Sequence, residues 1–152
     1  MTVRAWFTIS AIVLVTLTAA VIYRLFAPVP TPEIVARADS VRLGGSRERA
    51  CWPQRGGDLK CEGPDRAGVT LQKLPRSGRL RFVVTYPVQP EDGTIRVVSR
   101  STGKTVLRSD WRRSLRYDLE PDTYFAVAEA RYPRGAFLRY RFAFFNVTAS
   151  GN

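Results

Sequence analysis

The sequence predicts a mainly β protein: a single N-terminal transmembrane helix followed by an antiparallel β-sandwich. Two observations carry that expectation. The 19 positions from Ala5 to Tyr23 hold no charged residue, and as a helix they extend about 28 Å, close to the hydrocarbon thickness of a bilayer. From Val69 onward, apolar side chains recur at every second position between clusters of turn-forming residues, the period of strands with one buried face. The chain then divides into a short tail (1–4), the transmembrane helix (5–26), a proline-rich linker (27–32), a short helix with a cysteine-containing loop (33–68) and the sandwich (69–149). About 120 residues follow the helix, enough for one domain with its own core.

The apolar run has the flanks of an anchor. Trp6 and Tyr23 stand near its two ends, where amphipathic rings prefer the membrane interface, and Arg24 can snorkel to the headgroups. A cleaved secretory signal has a shorter apolar core and a small-x-small cleavage site. Here a cut after Ala27 would put the bulky Leu25 three residues before it, so a retained anchor is expected. Ala11, Leu14, Thr18, Ala19 and Ile22 recur three or four apart and mix small with large side chains, a face on which a neighbouring helix could pack closely.

Beyond the run, Ala27-Pro-Val-Pro-Thr-Pro32 favours an extended polyproline II spacer. Thr31-Pro32-Glu33 has the form of a helix start, with a capping hydroxyl, proline at the first position and an acid in the first turn. Ile34, Val35, Ala38 and Val41 would share one helical face, and Gly44-Gly45 would end it. Residues 44–68, rich in Gly, Arg and Pro, read as a long loop. The loop holds both cysteines of the chain, Cys51 and Cys61, at a spacing that fits no zinc or redox motif. The Gly56-Gly57 turn would bring them together, and an oxidising compartment would bridge them; two buried thiols are the alternative.

The alternation predicts seven strands, at 69–74, 79–86, 94–100, 104–109, 114–119, 123–131 and 136–147. Leu80, Phe82, Val84 and Tyr86 alternate with Arg79, Arg81, Val83 and Thr85; Leu138, Tyr140, Phe142 and Phe144 alternate with Arg139, Arg141 and Ala143. Proline, glycine and aspartate turns separate the runs, for example Pro90-Glu-Asp-Gly93 and Ser101-Thr-Gly-Lys104. Short strands at this spacing indicate a sandwich. No internal repeat is visible.

The stretch Gly93-Thr-Ile-Arg-Val-Val-Ser-Arg-Ser-Thr-Gly-Lys-Thr-Val106, with Tyr117-Asp-Leu-Glu-Pro-Asp-Thr-Tyr-Phe-Ala-Val127 after it, resembles carboxypeptidase-regulatory-like and related immunoglobulin-like domains. These carry a strand, a Thr-Gly-Lys hairpin and a Leu-x-Pro-Gly-x-Tyr-x-Val corner. Leu119, Pro121, Tyr124 and Val127 would fill that corner, with Asp122 where the family has glycine and the valine one residue later. The resemblance spans residues 93–127. It implies an Ig-like or prealbumin-like sandwich whose corner is pinned by the tyrosine hydroxyl on nearby backbone, and it implies no activity.

Composition narrows the function. The chain has no histidine, which removes Ser-His and Cys-His nucleophiles and histidine-ligated metal or haem. The acids Glu91, Asp92, Glu120, Asp122 and Asp65 fall in turns, where local hydrogen bonding explains them. No catalytic residue, no metal site and no cofactor is expected, and the chain is not read as an enzyme. The net charge is +11, from 21 arginines and 3 lysines against 13 acids. Such a balance favours an anionic lipid surface or an acidic protein surface. Nucleic acid is not expected, because the arginines are spread along the chain and an anchor precedes them.

Arg79, Arg81, Arg96, Arg100, Arg139 and Arg141 would stand opposite the apolar set, either as a basic docking wall or as an ordinary solvated face. Trp111-Arg112-Arg113 has the residue mix of an interface anchor, although a tryptophan serves equally as core. Phe142, Phe144 and Phe145 place aromatic rings on both faces of one strand, so part of its outer face would be covered by the 44–68 loop or by another protein. Asn146-Val-Thr148 is formally a glycosylation sequon.

The expected function is a non-catalytic single-pass subunit, a structural or accessory component of a multi-subunit membrane complex of respiratory or photosynthetic type. Its partners are integral membrane subunits. The expected location is the inner (cytoplasmic) membrane, with the C-terminal domain in the periplasm or exterior. The alternative is a membrane-tethered binding or assembly module for a protein, lipid or carbohydrate client.

Overall fold

The computed structural model describes residues 3–27, 29–65, 68–86, 89–111 and 114–146. The chain forms two units, Met1–Pro30 and Thr31–Asn152.

The first unit is one helix, α1 (Val3–Phe26). Its side chains are described at Ser10 and at Ile12–Tyr23. Among the described residues, no helix is long and apolar enough to cross a membrane. Two threonine hydroxyls of α1 turn inward on the helix itself. Thr16 Oγ donates to the Ile12 and Val13 carbonyls at 3.0 and 2.9 Å, and Thr18 Oγ to the Leu14 carbonyl at 2.8 Å. Ile12, Val13, Leu14, Val15, Leu17, Val21 and Ile22 are all exposed, and Tyr23 is 74% exposed.

The second unit is built of β1 (Ile34–Ala38), β2 (Val41–Leu43), β3 (Gly45–Pro53), β4 (Leu59–Glu62), β5 (Leu71–Leu74), β6 (Ser77–Val84), β7 (Asp92–Ser99), β8 (Thr105–Asp110), β9 (Ser114–Asp118), β10 (Thr123–Arg131) and β11 (Phe137–Asn146). A four-stranded sheet has the order β2-β1-β6-β9. A seven-stranded sheet has the order β4-β3-β11-β10-β7-β8, with β5 alongside β11. All pairs are antiparallel except β5–β11. Strand β3 covers the first half of one edge of β11 and β5 covers the second half.

The core follows from the alternation. Tyr124, Ala126, Ala128 and Ala130 of β10 point inward; they lie opposite Phe144, Phe142, Tyr140 and Leu138 of β11 on one side, and opposite Ser99, Val97, Ile95 and Gly93 of β7 on the other. A row of alanines between two bulkier rows leaves room for side chains of the facing sheet. Phe82 fills that room, its ring centroid 6.0 Å from that of Phe142. Gly93 is required where it stands, since a Cβ there would lie 2.2 Å from the Glu129 carbonyl oxygen.

All seven expected strands are present, but residues 33–68 depart from expectation. The helix that Thr31-Pro32-Glu33 announces does not form. Ile34–Ala38 and Val41–Leu43 make a hairpin through Asp39-Ser40 instead, with Asp39 at φ 49°. An isolated helix of this length is marginal in water, whereas as a strand the segment buries Ile34, Ala36 and Ala38 against the core and pairs with β6 from Ile34↔Val84 to Ala38↔Leu80. The expected long loop at 44–68 is largely the β3–β4 hairpin, turned by Gln54–Asp58 with Gly57 at φ 88°.

That hairpin sets Cys51 directly opposite Cys61, and the two are disulfide-bonded. The bond ties the outermost strand of the large sheet to its neighbour. Replacing both cysteines with serine is expected to cost about 2–3 kcal/mol, from the loop entropy restored to the unfolded chain. Urea unfolding of the wild type with and without reductant should show the same difference; equal midpoints would mean that the hairpin is held without the bond.

The corner suggested by the resemblance is also formed. Tyr124 is buried, and its hydroxyl donates to the Glu120 carbonyl at 2.6 Å. Asp122, in the glycine position, ties the corner to the Thr-Gly-Lys hairpin: hydrogen bonds from the Ser101 and Ser99 hydroxyls, and from the Thr123 N–H, hold its carboxyl down at about 2. Asn146 is 4% exposed; its Nδ2 donates to the Leu119 carbonyl at 2.8 Å and its Oδ1 accepts from the Asp122 N–H at 2.9 Å. The sequon amide is therefore occupied by structural hydrogen bonds.

Candidate functional site

The arginines nominated from the sequence separate into two groups. Strand alternation decides which residues point outward, not which sheet a strand joins. Arg79 and Arg81 lie on β6, in the small sheet; Arg96 lies on β7 and Arg139 and Arg141 on β11, in the large one. The expected single basic wall is thus two outer faces on opposite sides of the sandwich.

The two faces differ electrostatically. On the large sheet, the Glu48 carboxylate lies 2.9 Å from Arg139 Nε, without an aligned hydrogen bond, and 2.5 Å from Arg141 Nη2. The Arg141 guanidinium also stands 5.6 Å from the Phe125 ring centroid. Arg96 is half-buried opposite Arg108 and Val127. Phe145, which with Phe142 and Phe144 suggested a covered outer face, is half-buried; residues 45–53 lie beside its strand in the same sheet rather than over it.

On the small sheet the register places Arg37 opposite both Arg42 and Arg81, and Arg79 opposite Arg116. All five are exposed, and none forms an ion pair among the described residues. The face is otherwise made of Val35, the 54%-exposed Val83, and short polar residues such as Ser114. Asp118, at its margin, pairs instead with Arg76 at 3.4 Å. Sequence reading found Arg79 and Arg81 but not Arg37, Arg42 or Arg116. The cap signal at Thr31-Pro32-Glu33 puts the first two on the helix that does not form. The signal was present, since Val35 and Arg37 alternate with Ile34, Ala36 and Ala38.

Trp111 is half-buried and continues β8 along β7, its backbone N–H donating to the Gly93 carbonyl at 2.9 Å. Arg112 and Arg113 lie outside the described residues. In α1, Leu14, Thr18, Ala19, Ile22 and Tyr23 are exposed; the side chains of Trp6, Ala11 and Arg24 lie outside the described residues.

Polar and aromatic groups also gather at two other places in the β domain. A cleft of about 330 Å³ opens beside β1 and β2, with Glu33, Asp65, Tyr140 and Phe142 in its lining. Burial, with Glu33 nearby, pushes the Tyr140 hydroxyl up to about 12. Trp52, Tyr86 and Tyr132 meet edge to face, with centroids 4.9 Å apart for Trp52–Tyr86 and 5.1 Å for Trp52–Tyr132. Burial, with Tyr86 alongside, raises Tyr132 to about 12. Of the acids that fall in turns, Asp65 pairs with Arg47, Asp92 with Arg131 and Glu120 with Arg76.

No family model, no curated protein and no solved structure matches this chain. The fold stands as a mostly antiparallel β structure compatible with a β-sandwich.

Proposed function

We propose that the protein is a single-pass, non-catalytic accessory subunit of a membrane complex, anchored by α1 and carrying its β domain on the exported side. The observation that carries this reading is the helix. It exposes large aliphatic side chains at Ile12, Leu14, Val15, Leu17 and Ile22 while satisfying the Thr16 and Thr18 hydroxyls internally. A helix that is apolar all round requires lipid or protein around it, and internally bonded hydroxyls suit surroundings without water. In the sequence the uncharged run extends over all 19 positions from Ala5 to Tyr23. The Cys51–Cys61 disulfide supports an oxidising compartment, hence the periplasmic or exterior side of an inner membrane.

A tethered assembly module is the second reading, favoured by the unpaired arginines of the small sheet. Mild solubilisation followed by size exclusion separates the two. A resident subunit keeps a stoichiometric integral partner, and Ala11→Leu with Thr18→Leu releases it without impairing membrane insertion, because the added bulk pushes a neighbouring helix away. A monodisperse monomer overturns the subunit reading; a chimera with an unrelated spanning helix that assembles normally reduces α1 to a tether and moves the contact to the β domain.

A further inference from the structure

We infer that the outer face of the small sheet, formed by Arg37, Arg42, Arg79, Arg81 and Arg116, docks on the phosphate layer of an anionic bilayer. The inference rests on the anchor part of the reading above.

The first argument is the cost of the array. Like charges directly opposite one another on neighbouring strands destabilise a sheet, and three such pairs occur here, Arg42/Arg37, Arg37/Arg81 and Arg79/Arg116. On the large sheet carboxylates reach several arginines, as Glu48 does for Arg139 and Arg141 and Glu62 and Asp65 do for Arg47, while the single pair Arg96/Arg108 has none. Among the described residues of the small sheet none of the five arginines is so paired, and the compensating negative charge is expected from outside the chain.

The second argument concerns the occupant. The strands of a sheet lie about 4.8 Å apart, so the five guanidinium groups form a dense, nearly planar set. Each presents a fork of donors that matches phosphate. Among its described residues the face offers no aromatic anchor of the kind that centres a protein–protein contact; its apolar groups are the half-buried Val35 and the exposed Val83. A fluid layer of phosphates adapts to such a set, whereas a folded acidic protein would have to match its spacing. Ile34, which opens the small sheet, follows Phe26 by eight residues, a covalent reach of at most about 28 Å. A tether that short keeps the local concentration of headgroups high. Each basic residue near an anionic surface contributes roughly fivefold to partitioning.

The test uses the full chain reconstituted into vesicles of phosphatidylcholine alone or with 30% phosphatidylglycerol, a fraction of about a third being typical of an anionic leaflet in order of magnitude. Arginine modification by phenylglyoxal is read residue by residue by mass spectrometry. Arg37, Arg42, Arg79, Arg81 and Arg116 should react about tenfold more slowly in the anionic vesicles, and salt of about 1 M should abolish the protection. Arg96 and Arg131, elsewhere on the domain, should not change. Arg37→Gln/Arg81→Gln/Arg116→Gln should lose the protection of Arg42 and Arg79, and the corresponding lysine variant should retain it. Equal rates in both vesicles overturn the proposal. Protection in native membranes but not in protein-free anionic vesicles also overturns it, in favour of an acidic protein. Retention in phosphatidylcholine vesicles after an alkaline wash reports the anchor separately: its loss would sink the anchor while leaving the arginine measurement readable.

Discussion

Phe142→Ala should lower the stability of the β domain by about 4 kcal/mol, the cost of removing a large aromatic side chain from a core that cannot collapse around the gap. Phe142 is 1% exposed, and its ring meets Phe82 of the opposite sheet. In its own sheet it stands between two small residues, Ala126 on β10 and Gly45 on β3. A Cβ on Gly45 would come within 2.3 Å of the ring, so the aromatic occupies the volume that a side chain there would need. Neither neighbour can grow to refill the space, and both backbones are fixed by their ladders. Urea denaturation measures the loss, with Phe142→Leu as the milder comparison at about 1–1.5 kcal/mol. A loss for alanine below that of leucine would mean that the sheets are not joined through this ring.

Asn146→Ala should cost about 3 kcal/mol. It leaves the buried Leu119 carbonyl and the part-buried Asp122 N–H without partners, each worth roughly 1–3 kcal/mol. Asn146→Asp separates the two contributions. It keeps an acceptor for the Asp122 N–H but turns a second carboxylate oxygen toward the Leu119 carbonyl. Burial and that carbonyl would raise the new carboxyl above its unfolded value. A folded-state pKa above the unfolded one means that the folded protein binds the extra proton, so the penalty should shrink as pH falls through the raised value and grow as pH rises. A pH-independent loss equal to that of alanine would show that the asparagine is not the bridge between the corner and β11.

These residues also show how far a sequence of this kind can be read. Alternation around Leu80, Ile95, Tyr124 and Leu138 announced the strands from β5 to β11, because each has one buried face and the period is unmistakable. The Cys51–Cys61 bond was legible from the glycine turn between the two residues, but the strands β3 and β4 that carry it were hidden in a stretch rich in Gly, Arg and Pro. The strand nature of Ile34–Ala38 was hidden by a local cap signal that tertiary pairing with β6 overrode. The division of the arginines between two faces was not legible at all, since it depends on which strands share a sheet. That information lies in pairings such as Arg79↔Arg116 and Glu129↔Arg139 and in no single segment.

The pairing of β3 with β11 has a consequence for biosynthesis. Ala50 finds its cross-strand partner at Leu138, so β3 leaves the ribosome about ninety residues before the strand that covers it. At about 5–20 residues per second this is a wait of roughly 5–20 s. Through that interval the apolar face of Ala50 and Trp52 has only β4 beside it. The Cys51–Cys61 bond lies within this early hairpin and needs nothing made later. Oxidation at that stage would therefore fix the pairing of β3 and β4 before β11 exists, and the last strand to be made would dock onto an edge already set in register.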